Sequence, residues 1–166
     1  MTKFTIREAT ERDVEKILYF LRNLAAYQKM TDDVAVTEDE LKEWLFRRRV
    51  AEVILAAEDD HEVGVAIFYT HFATFIGRGG LYIEDLYVSP EYRGKGYGKA
   101  LFRRLAQIAV ERDYCRLEWR CLNWNQSSID FYHSLGAREL DDWTTFNLSG
   151  QAISALAGSG SRDCND

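Results

Sequence analysis

The run from Leu81 to Lys99 constrains the fold more than any other segment, because it joins a strand to a helix through a glycine-rich loop. Apolar residues stand at odd positions up to Ile83 and at even positions from Leu86 onward. Side chains of a strand alternate between faces, so this change of phase predicts one extra residue, a β-bulge. A bulge bends its strand and redirects side chains, so the segment predicts a specialised site.

Two adjacent carboxylates, Glu84 and Asp85, stand where the phase changes. Bulges are frequent beside active sites, because they aim side chains that a regular strand would alternate. The pair is therefore a candidate for an active site. The alternative is a solvated bulge without function.

The loop after the strand carries Gly94, Gly96 and Gly98, with Arg93 and Lys95 between and before them. Glycine allows positive φ and lets a ligand approach the backbone closely. The free N–H groups at the start of the following helix bind anions, phosphates above all. The loop therefore predicts a site for a ligand that carries a diphosphate.

Other interpretations of the loop stay open from the motif alone. No G-x-x-x-x-G-K-[ST] run is present, so this is not a P-loop. A dinucleotide fingerprint would need a glycine at Lys99, although Glu118 stands at a suitable distance for ribose binding. A glycine-rich turn without a ligand is the third possibility.

Composition limits the class of protein. The chain has 166 residues, 46% hydrophobic and 29% charged, with net charge −6 and pI of about 5.2. This predicts one folded domain over residues 1–157 and disfavours non-specific nucleic-acid binding. We expect a disordered tail at 158–166, which is small and polar.

Three cysteines without a C-x-x-C pattern argue against a disulfide framework or a zinc site, and we expect no metal. No signal peptide is visible at the N-terminus and no apolar run approaches 18 residues. We therefore expect a cytoplasmic protein with no membrane or nucleic-acid partner.

Hydrophobic periodicity and turn residues predict the order β-α-α-β-β-β-α-β-α-β-β. The parallel crossover around the glycine loop and the meander elsewhere indicate an α+β fold, a mixed and mostly antiparallel twisted sheet with a bulged fourth strand and helices on both faces. The predicted strands are 2–7, 51–57, 63–71, 81–88, 115–122, 137–140 and 143–147. The predicted helices begin near 10, 37, 96, 126 and 149.

The chain resembles the GCN5-related N-acetyltransferase (GNAT) superfamily, whose Q/R-x-x-G-x-G/A signature stands here as Arg93-x-x-Gly96-x-Gly98. The pair Glu84-Asp85, the run Trp124-Asn125-Gln126 and Phe131-Tyr132 resemble the spermidine/spermine and thialysine acetyltransferase branch. The resemblance covers about residues 1–157. It implies the GNAT fold, acetyl-CoA as co-substrate, a small-molecule primary amine as acceptor, and a homodimer.

The same resemblance assigns roles to residues. Glu84 would accept the proton of the amine through a water, and Tyr132 would protonate the leaving thiolate. The expected acetyl-CoA contacts are Leu86, Tyr87, Val88, Arg93, Gly94, Lys95, Gly96, Tyr97, Gly98, Asn125, Ser128 and Tyr132. The expected substrate contacts are Tyr27, Gln28, Asp33, Thr74, Phe75, Glu84 and Asp85.

Departures from the branch bear on the acceptor. The diamine enzymes carry acidic residues where this chain has Gln28 and Thr74, and a tryptophan where it has Phe75. Fewer carboxylates favour a thialysine- or lysine-like amino acid over a polyamine, and we expect Arg78 to be a partner for its carboxylate. The alternatives are a polyamine, a protein or peptide acceptor, and a CoA-binding sensor without activity.

Overall fold

The computed structural model describes residues 2–158, which form two compact units that divide between Arg120 and Cys121. The single domain over 1–157 stays a prediction. The first unit contains β1 (Phe4–Glu8), α1 (Val14–Gln28), α2 (Glu38–Leu41), β2 (Glu52–Glu58), β3 (His61–Ala73), β4 (Arg78–Val88), α3 (Tyr97–Glu111) and β5 (Leu117–Trp119). The second contains α4 (Gln126–Ser134) and α5 (Gly150–Leu156).

The sheet of the first unit has the order β1-β2-β3-β4-β5. Neighbouring strands are antiparallel except β4 and β5, which are parallel and are joined by the crossover through α3. The predicted mixed, mostly antiparallel sheet is therefore confirmed. The parallel pair matters for function, since its two strands run in the same direction and can part at one end.

One face of the sheet is buried under α1 and α2. Amphipathic spacing puts Ile17, Phe20 and Leu24 of α1 on one side of the helix, and they pack on alternate residues of the strands. Those strand residues are Val53, Leu55, Val65, Ile67 and Tyr87. The intervening residues, among them Phe68 and Leu81, are also buried, and α3 packs against β3 and β4.

The start of α2 follows from its sequence. The Thr37 hydroxyl accepts a hydrogen bond from the Glu40 N–H at 3.3 Å, and the Glu40 carboxylate accepts from the Thr37 N–H at 2.8 Å. This reciprocal pair is the predicted capping box. The helix continues as a π-helical turn, Lys42–Arg47, before the chain enters β2.

Two predicted strands in the second unit are wrong. Residues 137–140 and 143–147 form no strand, and no ladder pairs them with another described segment. Apolar side chains there, such as Trp143 and Phe146, are largely exposed. A strand needs a hydrogen-bonded neighbour, which local sequence does not supply.

Smaller differences concern the ends of elements. β5 is shorter than its predicted range of 115–122, whereas β4 begins at Arg78, earlier than predicted. The predicted tail lies outside the described residues apart from Gly158. Within the described part of the chain, no helix is long and apolar enough to cross a membrane.

Candidate active site

The bulge lies at Glu84. In the antiparallel pairing of β3 with β4, Phe68 stands opposite Ile83 and the next residue back, Ile67, stands opposite Asp85. Glu84 is therefore the extra residue, and the predicted bulge is confirmed. Because of the extra residue, apolar side chains are buried both before the bulge, at Ile83, and after it, at Tyr87. The two carboxylates Glu84 and Asp85 are adjacent at the bulge.

The two carboxylates lie in different environments. Glu84 is exposed, whereas Asp85 is half-buried and stands opposite Ile67, a core residue of the face that α1 covers. Burial, helped by repulsion from Glu84, raises the pKa of Asp85 to about 6, and Arg120 partly opposes this. A pair of acids with different environments can divide the work of binding a cation and accepting a proton.

The parallel strands part beside the bulge. The β4–β5 ladder ends where Ile83 pairs with Trp119. The next residues are Glu84 and Arg120, and Nη2 of Arg120 lies 3.5 Å from Oε1 of Glu84. Beyond this point the edge of β4 that faced β5 is no longer paired with β5.

Sequence analysis did not single out Arg120. The pairing of β4 with β5 does contain a signal for this residue. Paired residues in the two parallel strands differ by 36 in sequence number, and the same difference applies to the residues that follow. That offset places Arg120, 36 residues after Glu84, at the end of the ladder. Finding it required the register of β4 with β5, which hydrophobic pattern alone does not supply.

Three expected cofactor contacts follow the bulge. Tyr87 is buried and its ring lies 6.2 Å from that of Phe20 of α1, while Leu86 is half-buried and Val88 buried. These residues pair with β3 on one side only, Leu86 with Ala66 and Val88 with Gly64. Because alternate residues of a strand direct their amide groups to the same edge, Leu86 and Val88 face the edge that β5 leaves, whereas Tyr87 faces β3.

The glycine loop has the backbone that a phosphate site requires. Gly94 and Gly96 have φ of 77° and 83°, and α3 begins immediately afterwards at Tyr97. A Cβ placed on either glycine would meet no atom within 4 Å. Open space over a helix N-terminus fits a bound diphosphate, whose charge the helix dipole and free N–H groups would stabilise.

The cations of the loop point toward the protein. Nζ of Lys95 donates to both carboxylate oxygens of Glu58 on β2, at 2.9 and 3.0 Å, and this bond raises the pKa of Lys95. Nε of Arg93 donates to the Val88 carbonyl at 2.9 Å, and its guanidinium lies over the Tyr27 ring. Both side chains therefore hold the loop in place.

The expected substrate contacts in the first unit do not all converge. Tyr27 and Gln28 end α1, and Asp33 follows in the 3₁₀ turn Thr31–Asp33, while Tyr27 reaches the loop through Arg93. Thr74 and Phe75 lie in the turn between β3 and β4, which is at the opposite end of β4 from Val88.

That turn is distant from the bulge within one chain. From Arg78, where β4 begins, to Glu84 is about 20 Å at the rise of an extended strand. Phe75 is fully exposed there. Thr74 and Phe75 are therefore not brought together with Glu84 and Asp85 by the fold of the first unit.

The remaining expected residues lie on α4 in the second unit. The Asn125 side chain caps the helix by accepting a hydrogen bond from the Ser128 N–H at 3.3 Å. Spacings of three and seven residues place Asn125, Ser128 and Tyr132 on one face of the helix. Their approach to acetyl-CoA stays a prediction.

Comparison with known proteins identifies the family. The acetyltransferase (GNAT) family matches residues 7–137, well over half of the chain. Thialysine N-epsilon-acetyltransferase of Sus scrofa is 35% identical over 95% of this chain and 99% of its own length. The Bos taurus protein of the same name is 36% identical over 92% of this chain and 96% of its own length.

A solved structure has a similar fold over nearly the whole chain. An integron cassette protein from the V. cholerae mobile metagenome superposes with a TM-score of 0.79 and 28% identity, over 94% of this chain and 98% of that one. The chain belongs to the GNAT acetyltransferase family, and the resemblance stated from the sequence is confirmed. It is an N-acetyltransferase, in the EC 2.3.1 class.

Proposed function

We propose that this chain transfers the acetyl group of acetyl-CoA directly to the side-chain amine of a thialysine- or lysine-like amino acid. The observation that carries the proposal is the juxtaposition along β4: two carboxylates at the point where the parallel strands part, followed by an anion-binding loop. The relatives named for thialysine support a small amine as acceptor.

Acetyl-CoA would lie along the unpaired edge of β4. The backbone of Leu86 and Val88 would bond the pantetheine, because their amide groups face the edge of β4 that β5 leaves. The N–H groups of the loop from Arg93 to Gly98 would hold the pyrophosphate. In this arrangement the thioester lies near the bulge, beside the carboxylates of Glu84 and Asp85.

The amine must lose a proton before it can attack. An alkyl ammonium with a pKa near 10.4 costs about 4.6 kcal/mol to deprotonate at pH 7. Glu84 accepts this proton through a water, and Asp85 holds the ammonium beside it. General base assistance of this kind is worth about 10²- to 10⁴-fold in rate.

The neutral amine then attacks the thioester carbonyl carbon. As the C–N bond forms and the C–S bond breaks, Tyr132 donates its proton to the departing sulfur, so coenzyme A leaves as the thiol. No protein nucleophile takes part. Burial raises the pKa of the Cys121 thiol, which opposes formation of the thiolate that an acyl-enzyme route would need.

The acceptor class is tested by acetyl-CoA-dependent thiol release with thialysine, lysine, ornithine, putrescine, spermidine and a lysine peptide. We expect the highest kcat/KM with a free amino acid. Higher kcat/KM with spermidine would indicate that the acceptor is a polyamine and not an amino acid. Turnover of the peptide alone would indicate a protein acceptor.

The role of Tyr132 is tested with Tyr132→Phe. We expect kcat to fall about 100-fold or more while acetyl-CoA affinity changes little. A matched control is Tyr114→Phe, whose hydroxyl lies 2.7 Å from that of Thr70. Unchanged kcat in Tyr132→Phe would remove this residue from the chemistry.

We also propose a homodimer, as the resemblance to this branch implies. Exposed apolar side chains in and beside the turn between β3 and β4, Phe72, Phe75 and Ile76, offer contact area to a second copy. Light scattering measures the mass, and a monomer at all concentrations would contradict this assembly.

A further inference from the structure

Arg120 occupies the point at which β4 and β5 part. The backbone pairing of β4 with β5 ends at Ile83 and Trp119. Glu84 and Arg120 are therefore the first residues of the two strands that are no longer paired with each other. The guanidinium of Arg120 reaches across to the Glu84 carboxylate. A cation therefore stands beside the two acids to which the acceptor amine must come.

The contacts of Arg120 leave its charge largely uncompensated. Its ion pair with Glu84 is a single contact of 3.5 Å between side chains that are 64% and 43% exposed, and its other hydrogen-bond partner is the uncharged Tyr82 hydroxyl. By contrast, Arg7 donates two bonds to Asp13, at 2.7 and 2.9 Å. An exposed, long ion pair contributes little, and a guanidinium has five N–H donors for further acceptors.

The three charged side chains of the site differ in how exposed they are. Asp85 is half-buried against the face that α1 covers, Glu84 is exposed, and Arg120 is the most exposed of the three. An amino acid with a side-chain amine carries the matching order, with an ammonium at one end and a carboxylate at the other. A diamine would instead bring a second ammonium toward the guanidinium, which repels it.

Arg78, the cation expected from the sequence for this role, lies far from the bulge of its own chain. It begins β4, about 20 Å along the strand from Glu84, and it is paired with Asp113 at 3.2 Å. Arg120 has the required chemistry and lies at the bulge itself.

We propose that Arg120 binds the carboxylate of the amino-acid acceptor and thereby selects amino acids over diamines. The proposal rests on the proposed function and names the residue that determines its specificity. Guanidinium and carboxylate meet with two parallel hydrogen bonds, a geometry that an ammonium cannot reproduce.

The experiment compares lysine with cadaverine, which is lysine without its carboxylate. In the unmodified chain we expect higher kcat/KM for lysine. In Arg120→Gln we expect lysine kcat/KM to fall about 10- to 100-fold, mainly through KM, the range of a charge-assisted hydrogen bond. Cadaverine kcat/KM should stay constant or rise.

Two control variants separate recognition from other effects. Arg120→Lys should recover part of the preference, because it keeps the charge and loses the paired geometry. Arg47→Gln removes an equally exposed arginine that also has a long ion pair, outside the proposed site, and should leave the preference unchanged. Circular dichroism confirms that each variant is folded.

An equal loss for lysine and cadaverine in Arg120→Gln would overturn the proposal, because Arg120 would then act only on Glu84. So would preference for cadaverine in the unmodified chain. Calorimetric titration of lysine and cadaverine into the CoA-saturated protein measures binding of the two amines without acetyl transfer. It therefore tests the role of Arg120 independently of the proposed reaction. Lysine binding that is lost in Arg120→Gln supports it even if no amine is acetylated, whereas equal binding in both proteins overturns it.

Discussion

The two functional parts of β4 and its loop treat charge in opposite ways. In the glycine loop, Lys95 donates to both oxygens of the buried Glu58. At the bulge, Glu84 has one long contact, and no hydrogen bond to the Asp85 carboxylate is found within residues 2–158. Lys95 of the loop therefore has a close carboxylate partner in the ligand-free chain, whereas neither acid of the bulge has a close cation among the described residues.

Under the proposed function, the two environments match what acetyl-CoA and the amine each require. A site whose backbone N–H groups bind phosphate needs a fixed conformation, so its cations serve as anchors. A site that accepts a proton needs carboxylates whose pKa values differ and which are not already neutralised. In the proposed function, the same strand therefore leads into an anchored loop that binds acetyl-CoA and carries at its bulge the acids that react.

The largest effect should come from the reacting end. Glu84→Gln removes the proposed proton acceptor while keeping its size, so we expect kcat to fall about 10²- to 10⁴-fold. The KM for acetyl-CoA should change little. Glu91→Gln, which changes an exposed acid in the turn before the loop, is the control. Equal kcat in the two variants would show that the bulge acid does not take part.

Asp85 should make the folded chain less stable at neutral pH. Its pKa is raised from 3.8 to about 6, so the folded state favours the neutral acid. Stability from this group is complete below about pH 4 and is lost as pH rises through about 6, a loss of about 3 kcal/mol.

Urea unfolding of Asp85→Asn tests that sign. The variant should be more stable than the unmodified chain near pH 7, and the difference should shrink toward about pH 4. It should also bind the amine more weakly. A variant that is less stable at neutral pH would indicate that Asp85 is paired in solution, contrary to the comparison drawn above.

Breaking the anchor of the binding end should have a moderate effect on one substrate. Lys95→Met leaves the Glu58 carboxylate without its cation, so the loop loses its tie to β2. We expect KM for acetyl-CoA to rise about tenfold, with kcat within about twofold. Lys95→Arg should restore affinity, because it can still bond Glu58. A fall in kcat with unchanged KM would place Lys95 in the chemistry.

The smallest effect should come from backbone strain in the loop. Gly96→Ala places a Cβ on a residue with φ of 83°, which costs about 1–2 kcal/mol. Gly96→Asn should cost less, because asparagine tolerates this region better. Thermal unfolding compares the two, and equal Tm values would show that the ligand-free loop adopts another conformation.

Local pattern predicted the bulge, the loop and the helix behind it correctly. The phase change between Ile83 and Leu86 depends on neighbours in the sequence alone, and so does the Thr37–Glu40 capping box. Predicted strands at 137–140 and 143–147 were wrong, because alternation indicates an extended chain without supplying a partner.

The sequence by itself determined which segment of β4 bulges and that a glycine-rich loop and a helix follow it, since periodicity and glycine conformation act over a few residues. Only the tertiary structure decided which charges meet. Arg120 and Glu84 are 36 residues apart, and Lys95 and Glu58 are 37 apart. Electrostatic pairing depends on distance in space, which the register of the sheet sets and local pattern does not.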